Sequence, residues 1–279
     1  MRRVTQPTVT FIGGGNMARA IYGGLLDSGF TATNISIVDP STAAQDNARQ
    51  AGIEQAFDRA PDEALSADLI VLAIKPQITN AALAPLAGRL GPNSVVLSIV
   101  AGISAQSLAT LLGLSDSGPI IRCMPNTPAL VGEGMTGLYS NSHAGAAEGK
   151  ALAERVMSSV GQCVWVEKEP DLDVVTAISG SGPAYFFLFI ESLTDAAIAL
   201  GMDSESARKL ALQTALGASR LASLSDEDAA TLRKNVTSPG GTTEQAIQSF
   251  ETSDIRGIVA RATQAAARRS VELSQEFGV

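Results

Sequence analysis

Phe11-Ile12-Gly13-Gly14-Gly15-Asn16-Met17-Ala18 is the stretch that decides the fold. It has the form G-x-G-x-x-A and lies between a strand-like run, residues 8–13, and a helix-like run, residues 16–28. The glycines permit a tight turn and let a pyrophosphate approach the helix N-terminus. The small third position lets helix and strand pack closely. A glycine-rich match alone is weak, and a purely structural glycine turn is the alternative. Three agreements favour a nicotinamide or flavin dinucleotide site: a strand before, a helix after, and an acidic residue closing the next strand. Asp39 is that residue. Its carboxylate is placed to accept hydrogen bonds from the adenosine ribose hydroxyls and to repel a 2′-phosphate, which favours NADH. Ser41 and Thr42 offer hydroxyl donors to a phosphate, no Arg lies in residues 39–44, and helix capping is the alternative role for Asp39.

Outward from this motif, β-like runs alternate with Ala-rich helical ones. Strands are predicted at residues 35–39, 69–74, 95–100, 119–124, 135–140 and 162–167. Helices are predicted between them at 43–51, 80–90, 103–111 and 146–159. Leu69-Ile70-Val71-Leu72-Ala73-Ile74 is apolar at every position, as in a parallel sheet covered by helices on both faces. The strand signal ends near Glu169. Helical runs follow at 171–200, interrupted around Gly180-Ser181-Gly182-Pro183, and at 204–222, 226–235, 243–250 and 255–276. The expected architecture is α/β: a Rossmann-type doubly wound domain over residues 1–168, then an all-helical domain over residues 169–279.

Composition narrows the function. Of 279 residues, 45% are hydrophobic and 17% charged, a globular balance with ample material for a core. The net charge of −8 and the lack of a basic cluster beyond pairs such as Arg268-Arg269 argue against nucleic acid or an anionic membrane. An anionic substrate would have to be held by backbone donors or a few local charges. Cys123 and Cys163 fit no metal or redox spacing and read as reduced thiols; no metal site is expected. Arg2 and Arg3 run into too short an apolar segment for a signal peptide, and the longest apolar run, residues 184–190, is broken by Glu191 and Asp195. A soluble, cytoplasmic protein is expected. His143, the only histidine, sits in a polar loop and reads as a surface residue.

A second stretch carries the chemistry: Val236-Thr237-Ser238-Pro239-Gly240-Gly241-Thr242-Thr243. Pro239 lacks a backbone donor, and Gly240 and Gly241 allow close approach. A Gly-Gly-Thr-Thr start to a helix presents unpaired N–H groups suited to a small carboxylate. A tight turn with an ordinary Thr N-cap is the alternative.

Together these pieces resemble the pyrroline-5-carboxylate reductase family over almost the whole chain. The resemblance rests on Phe11 to Met17, Ala73-Ile74-Lys75-Pro76, Arg122-Cys123-Met124-Pro125-Asn126-Thr127-Pro128, Ser179-Gly180-Ser181-Gly182-Pro183-Ala184-Tyr185 and Asn235 to Thr243. It implies NADPH or NADH as hydride donor and L-1-pyrroline-5-carboxylate as substrate, giving L-proline in the last step of proline biosynthesis. It also implies a homodimer interleaved through the helical domains, with the active site between one subunit's cofactor and the other's helices; some relatives form larger rings of dimers. Carried over by position, the cofactor contacts are Ile12, Gly13, Gly15, Asn16, Met17, Asp39, Ala73, Lys75, Pro76, Ala101, Asn126 and Asn235. The substrate contacts are Ser238, Gly240, Gly241, Thr242, Thr243 and Glu169, with Thr243 as the catalytic residue. Surface placement for Lys75, and a packing kink for Ser179 to Tyr185, are the alternatives there. Relatives that use NADPH often have Ser in place of Asp39 and Asn in place of Ala60, so phosphate preference does not carry over.

The inventory suits imine reduction. Hydride transfer to a protonated cyclic imine needs positioning more than a strong acid. Thr243 is placed to accept from the ring N–H⁺, with the N–H groups of Gly241, Thr242 and Thr243 on the carboxylate. Two rivals remain. A β-hydroxyacid dehydrogenase wants a Lys on the first long interdomain helix, and residues 171–200 contain none. A dinucleotide sensor would have no use for residues 238–243.

Overall fold

The computed structural model describes residues 6–114, 118–141 and 147–277. His143 and the start of the helix expected at residue 146 lie outside the described residues, as do Arg2 and Arg3. The chain divides into two compact units, Met1–Ser181 with Ala266–Val279, and Gly182–Ala265.

The first unit is built on an eight-stranded sheet. Its strands are β1 (Val9–Ile12), β2 (Ile35–Val38), β3 (Ala56–Phe57), β4 (Leu69–Leu72), β5 (Val95–Ser98), β6 (Ile120–Met124), β7 (Gly134–Ser140) and β8 (Gly161–Trp165). Its helices are α1 (Asn16–Asp27), α2 (Thr42–Gln50), α3 (Asp62–Leu65), α4 (Thr79–Leu83), α5 (Ala105–Leu111), α6 (Ala147–Ser158) and α7 (Asp171–Val175).

The strand order is β3-β2-β1-β4-β5-β6-β7-β8. The chain winds outward from β1 to β3, then crosses back to place β4 on the other side of β1. This makes the carboxyl ends of β1 and β4 the switch point, where open α/β sheets bind ligands. The register brings those ends level: Ile12 pairs with Val38 and Leu72, and Leu72 with Ser98.

The unbroken apolar strands have the cause expected of them. In β4, Leu69 and Val71 enter one core with α1 and α6 residues such as Ile21, Leu25, Val156 and Met157. Ile70 and Leu72 enter a second core with Leu83 of α4 and Leu108 of α5. Both faces of the sheet are therefore dry, and alternation is lost.

Several local expectations change. The helix foreseen over 80–90 stops at Leu83, because Pro85 cannot supply the next donor; a 3-10 turn, Ala84–Leu86, follows. β3 and α3 are too short to leave a periodic trace. β7 is antiparallel to β6 and parallel to β8, so the last two strands reverse the sheet direction. The interruption foreseen near Gly180 takes the form of a π turn, Thr176–Gly180, and a bend at Ser181, across which 29 residues from Asp171 to Ala199 still run as one helix. By length and composition alone this helix is long and apolar enough to cross a membrane, a test that helices of soluble proteins also pass.

The second unit holds α8 (Gly182–Ala199), α9 (Ser204–Leu224), α10 (Ala229–Asn235), α11 (Thr242–Thr252) and the first half of α12 (Ile255–Phe277), as far as Ala265. Asp203 and Asp228 cap α9 and α10, each accepting from a backbone N–H three residues on. Within this unit only Gly182, Ala207 and Ala211 are buried among the described residues. Phe186, Phe187 and Leu188 are each more than 60% exposed, and Leu200 is 90% exposed. A single copy of this unit has almost no core.

Candidate functional site

The sheet's switch point assembles the first group of site residues. Gly13 has φ +101°, and a Cβ there would strike the carbonyl of Ala73. The close approach is fixed by the hydrogen bonds Gly13 N to Val38 O and Ala73 N to Ile12 O, both 2.8 Å. A Cβ on Gly14 would lie 3.0 Å from Ala44 Cβ, so that position too has little room. Gly15 differs, since a Cβ there would meet nothing within 4 Å. That open space sits at the N-cap of α1, which has no side-chain cap. The N–H groups of Asn16, Met17 and Ala18 have no partner among the described residues, which makes the helix start an anion site. Ala18, 1% exposed, supplies the small third position. Ile12 is 4% exposed, so only its backbone faces this edge. The residues present fit the pyrophosphate of a dinucleotide.

Asp39 follows β2 at the same edge and is already engaged. Its Oδ2 accepts from Gly14 N at 2.7 Å and its Oδ1 from Ser41 N at 2.8 Å. The carboxylate thus braces the glycine turn and caps the approach to α2, while each oxygen keeps a lone pair for a ribose hydroxyl. Ala73, Lys75 and Pro76 follow β4, and Ala101 follows β5. Lys75 and Ala101 are exposed.

Asn126 ends up differently occupied from a free ligand. Its Oδ1 accepts from Met135 N at 2.9 Å and its Nδ2 donates to Ser179 O at 3.0 Å. The helix leaves Ser179 O in need of a donor, because residue 183 is Pro and has no N–H. Asn126 supplies that donor and joins β6, β7 and the π turn. Gly180 is small for a related reason, since a Cβ there would lie 2.7 Å from Met124 Cε. The Ser179 to Pro183 motif therefore has a packing role in full view. Glu169 is likewise engaged: its Oε1 accepts from Ala105 N at 2.7 Å and from Arg122 Nη1 at 2.8 Å.

No side chain here is poised as a nucleophile. Burial, then the Cys163 sulfur, pushes the Cys123 thiol far up, against a smaller opposite pull from Arg122. Burial also raises Cys163. The Tyr139 phenol is raised by burial and then by the Glu169 charge. All three keep their protons at neutral pH. No cluster of metal-ligating side chains occurs among the described residues.

The second unit carries the other group. The chain turns at Gly240, φ +72°, and Gly241 is the N-cap of α11 with no side-chain cap bond. Gly241 N donates to Ser238 O at 3.0 Å, so it is spent within the turn. The expected cradle of Gly241, Thr242 and Thr243 is thereby corrected. The donors without partners among the described residues are the N–H groups of Thr242, Thr243 and Glu244. The Thr243 hydroxyl also makes no hydrogen bond there, so the ordinary Thr cap is not what forms. Glu244, which the sequence did not single out, accepts from Gly240 N at 2.7 Å and holds the turn. A Glu in the first turn of a glycine-led helix was its only trace. Asn235 closes α10, exposed, donating to Glu227 Oε2 at 3.0 Å.

Two family profiles match. One described as pyrroline-5-carboxylate reductase dimerisation covers residues 169–273. One described as NADP oxidoreductase, coenzyme F420-dependent, covers residues 8–102. The chain is 44% identical over 278 residues to pyrroline-5-carboxylate reductase of Pseudomonas aeruginosa, covering 99% of this chain and 100% of that one. It superposes on the pyrroline-5-carboxylate reductase of Coxiella burnetii with TM-score 0.91 and 39% identity, covering 96% of this chain and 99% of that one. The Plasmodium falciparum pyrroline carboxylate reductase, solved with NADP bound, gives TM-score 0.81 and 31% identity, covering 96% and 98%.

Proposed function

Because this chain belongs to the pyrroline-5-carboxylate reductase family, we propose that it reduces L-1-pyrroline-5-carboxylate to L-proline, the last step of proline biosynthesis, at the start of α11. It is an NAD(P)H-dependent oxidoreductase. The observation that carries the residue-level reading is the pair of unpartnered Thr242 and Thr243 N–H groups beside the free Thr243 hydroxyl.

Bound NAD(P)H supplies the hydride, which goes to the ring carbon of the C=N bond while the π electrons settle on nitrogen. The imine arrives protonated from solution, so the nitrogen leaves as an amine without a protein acid. Thr242 and Thr243 N–H take the carboxylate, aided by the positive end of α11. The Thr243 hydroxyl oxygen accepts from the ring N–H⁺ and fixes the ring's orientation. Ser238 and Gly240 shape the turn, and Asn235 lies just before it. On the cofactor side, Asn16 and Met17 N–H would hold the pyrophosphate and Asp39 the ribose, and Ala73, Lys75, Pro76, Ala101 and Asn126 would line the route to the nicotinamide. Residues 1–168 thus serve the cofactor, and 169–279 the substrate and the dimer. The exposed face of α8 is covered by a second copy, so the protein is a homodimer; a cytoplasmic location is the accompanying proposal. The test is NADH and NADPH oxidation with and without pyrroline-5-carboxylate. Turnover yielding proline is expected; tight cofactor binding with no turnover would make the protein a dinucleotide sensor instead.

The same assay reads cofactor preference. Asp39→Ser removes a charge that repels a 2′-phosphate by about 1–3 kcal/mol after screening. The NADPH-to-NADH ratio of kcat/KM is expected to rise about tenfold or more. Loss of the brace on Gly14 affects both cofactors alike and cancels in the ratio, which reads the lost charge together with the changed contact to the ribose. An unchanged ratio would mean that Asp39 serves the turn alone.

A further inference from the structure

The segment between β5 and α5, residues 99–104, carries Ala101 at the cofactor edge and is held at three points within the first unit. Ser98 Oγ accepts from Val100 N at 3.2 Å. Gly102, φ +75°, lies so close to the last turns of α12 that a Cβ would be 3.3 Å from Leu273 O. Ala105 N, the first donor of α5, reaches Glu169 Oε1 at 2.7 Å. That same oxygen takes Arg122 Nη1 of β6 at 2.8 Å, in a pair only 13% and 25% exposed. Glu169 is therefore the side chain that links this segment to β6 and to the approach to α7.

A carboxylate sharing one oxygen between a guanidinium and a backbone N–H is badly suited to receive a second carboxylate. Like charges repel, and its strongest donors are already chosen. We propose that Glu169 is a positioning residue for the cofactor: through Ala105 it fixes residues 99–104 against bound NAD(P)H, and it does not touch the substrate. This rests on the placement of Ala101 beside the cofactor.

The predicted signature is a split between the two reactants. Glu169→Ala leaves Ala105 N without its acceptor and Arg122 without its counter-ion, and raises the NAD(P)H Kd, read by fluorescence titration, about five- to tenfold. The KM for pyrroline-5-carboxylate stays within about twofold. Glu169→Gln keeps an acceptor oxygen for both donors and restores most of the cofactor affinity, which also covers the case in which the Ala variant fails to fold. A raised imine KM with unchanged NAD(P)H affinity in the Ala or Gln variant would overturn the proposal and return Glu169 to the substrate. A Gln variant as weak as Ala would overturn the hydrogen-bonding role. Ala101→Leu tests the underlying placement separately: unaltered NAD(P)H binding there would remove Ala101 from the cofactor, whatever Glu169 does.

Discussion

Thr243→Ala is expected to lower kcat/KM for pyrroline-5-carboxylate about ten- to a hundredfold, the cost of one hydrogen bond to a charged group, roughly 1.5–3 kcal/mol. The neighbouring Glu244 carboxylate, an alternative acceptor for the ring N–H⁺, already has its Oε2 engaged by Gly240 N. The backbone cradle survives the substitution, since α11 starts with Gly241 as its cap and gains nothing from a threonine side chain there. Thr243→Ser keeps the hydroxyl and loses only the rotamer restriction of the branched side chain, so most activity should remain. Neither change should move NAD(P)H affinity. A fully active Ala variant would assign the ring nitrogen's partner to water.

The second large effect concerns assembly. The five helices of the second unit bury only Gly182, Ala207 and Ala211 among the described residues, while Phe187, Leu188 and Val259 are each more than 50% exposed. Exposed apolar side chains clustered in this way mark a surface that a partner covers. An isologous dimer repeats each apolar contact twice, so one charged substitution is felt twice. Leu188→Glu or Val259→Glu should each shift the protein to monomer in sedimentation and lower activity about a hundredfold or more, since burying an unpaired charge costs about 3–5 kcal/mol. An active monomer at assay concentration would defeat this reading.

The parts legible from sequence were those set by local chemistry. Gly13 must be glycine because of its positive φ and the Ala73 carbonyl, and both causes leave a written motif. The apolar β4 run announced a sheet covered on both sides. The α11 start could be read from Gly-Gly-Thr-Thr, though which N–H groups remain free depends on the turn: Ser238 O claims Gly241 N, and periodicity says nothing of that. What the sequence did not name were long-range contacts. Asn126 meets Ser179 across 53 residues of sequence, and Glu169 meets Ala105 across 64. Each is a polar side chain whose partner no local pattern names. The interruption near Gly180 was legible in place but not in form, for a similar reason. Gly and Pro there read as breakers, yet the π turn and the Asn126 amide satisfy the backbone that they disturb.

The central claim is that the start of α11 recognises a cyclic imine by its carboxylate as well as its nitrogen. The most direct test compares kcat/KM for L-1-pyrroline-5-carboxylate with that for 1-pyrroline, the same ring without the carboxylate, at saturating NAD(P)H. Losing two charge-assisted bonds to Thr242 and Thr243 N–H should lower the value for 1-pyrroline about a hundredfold or more. Equal values for the two imines would contradict the account.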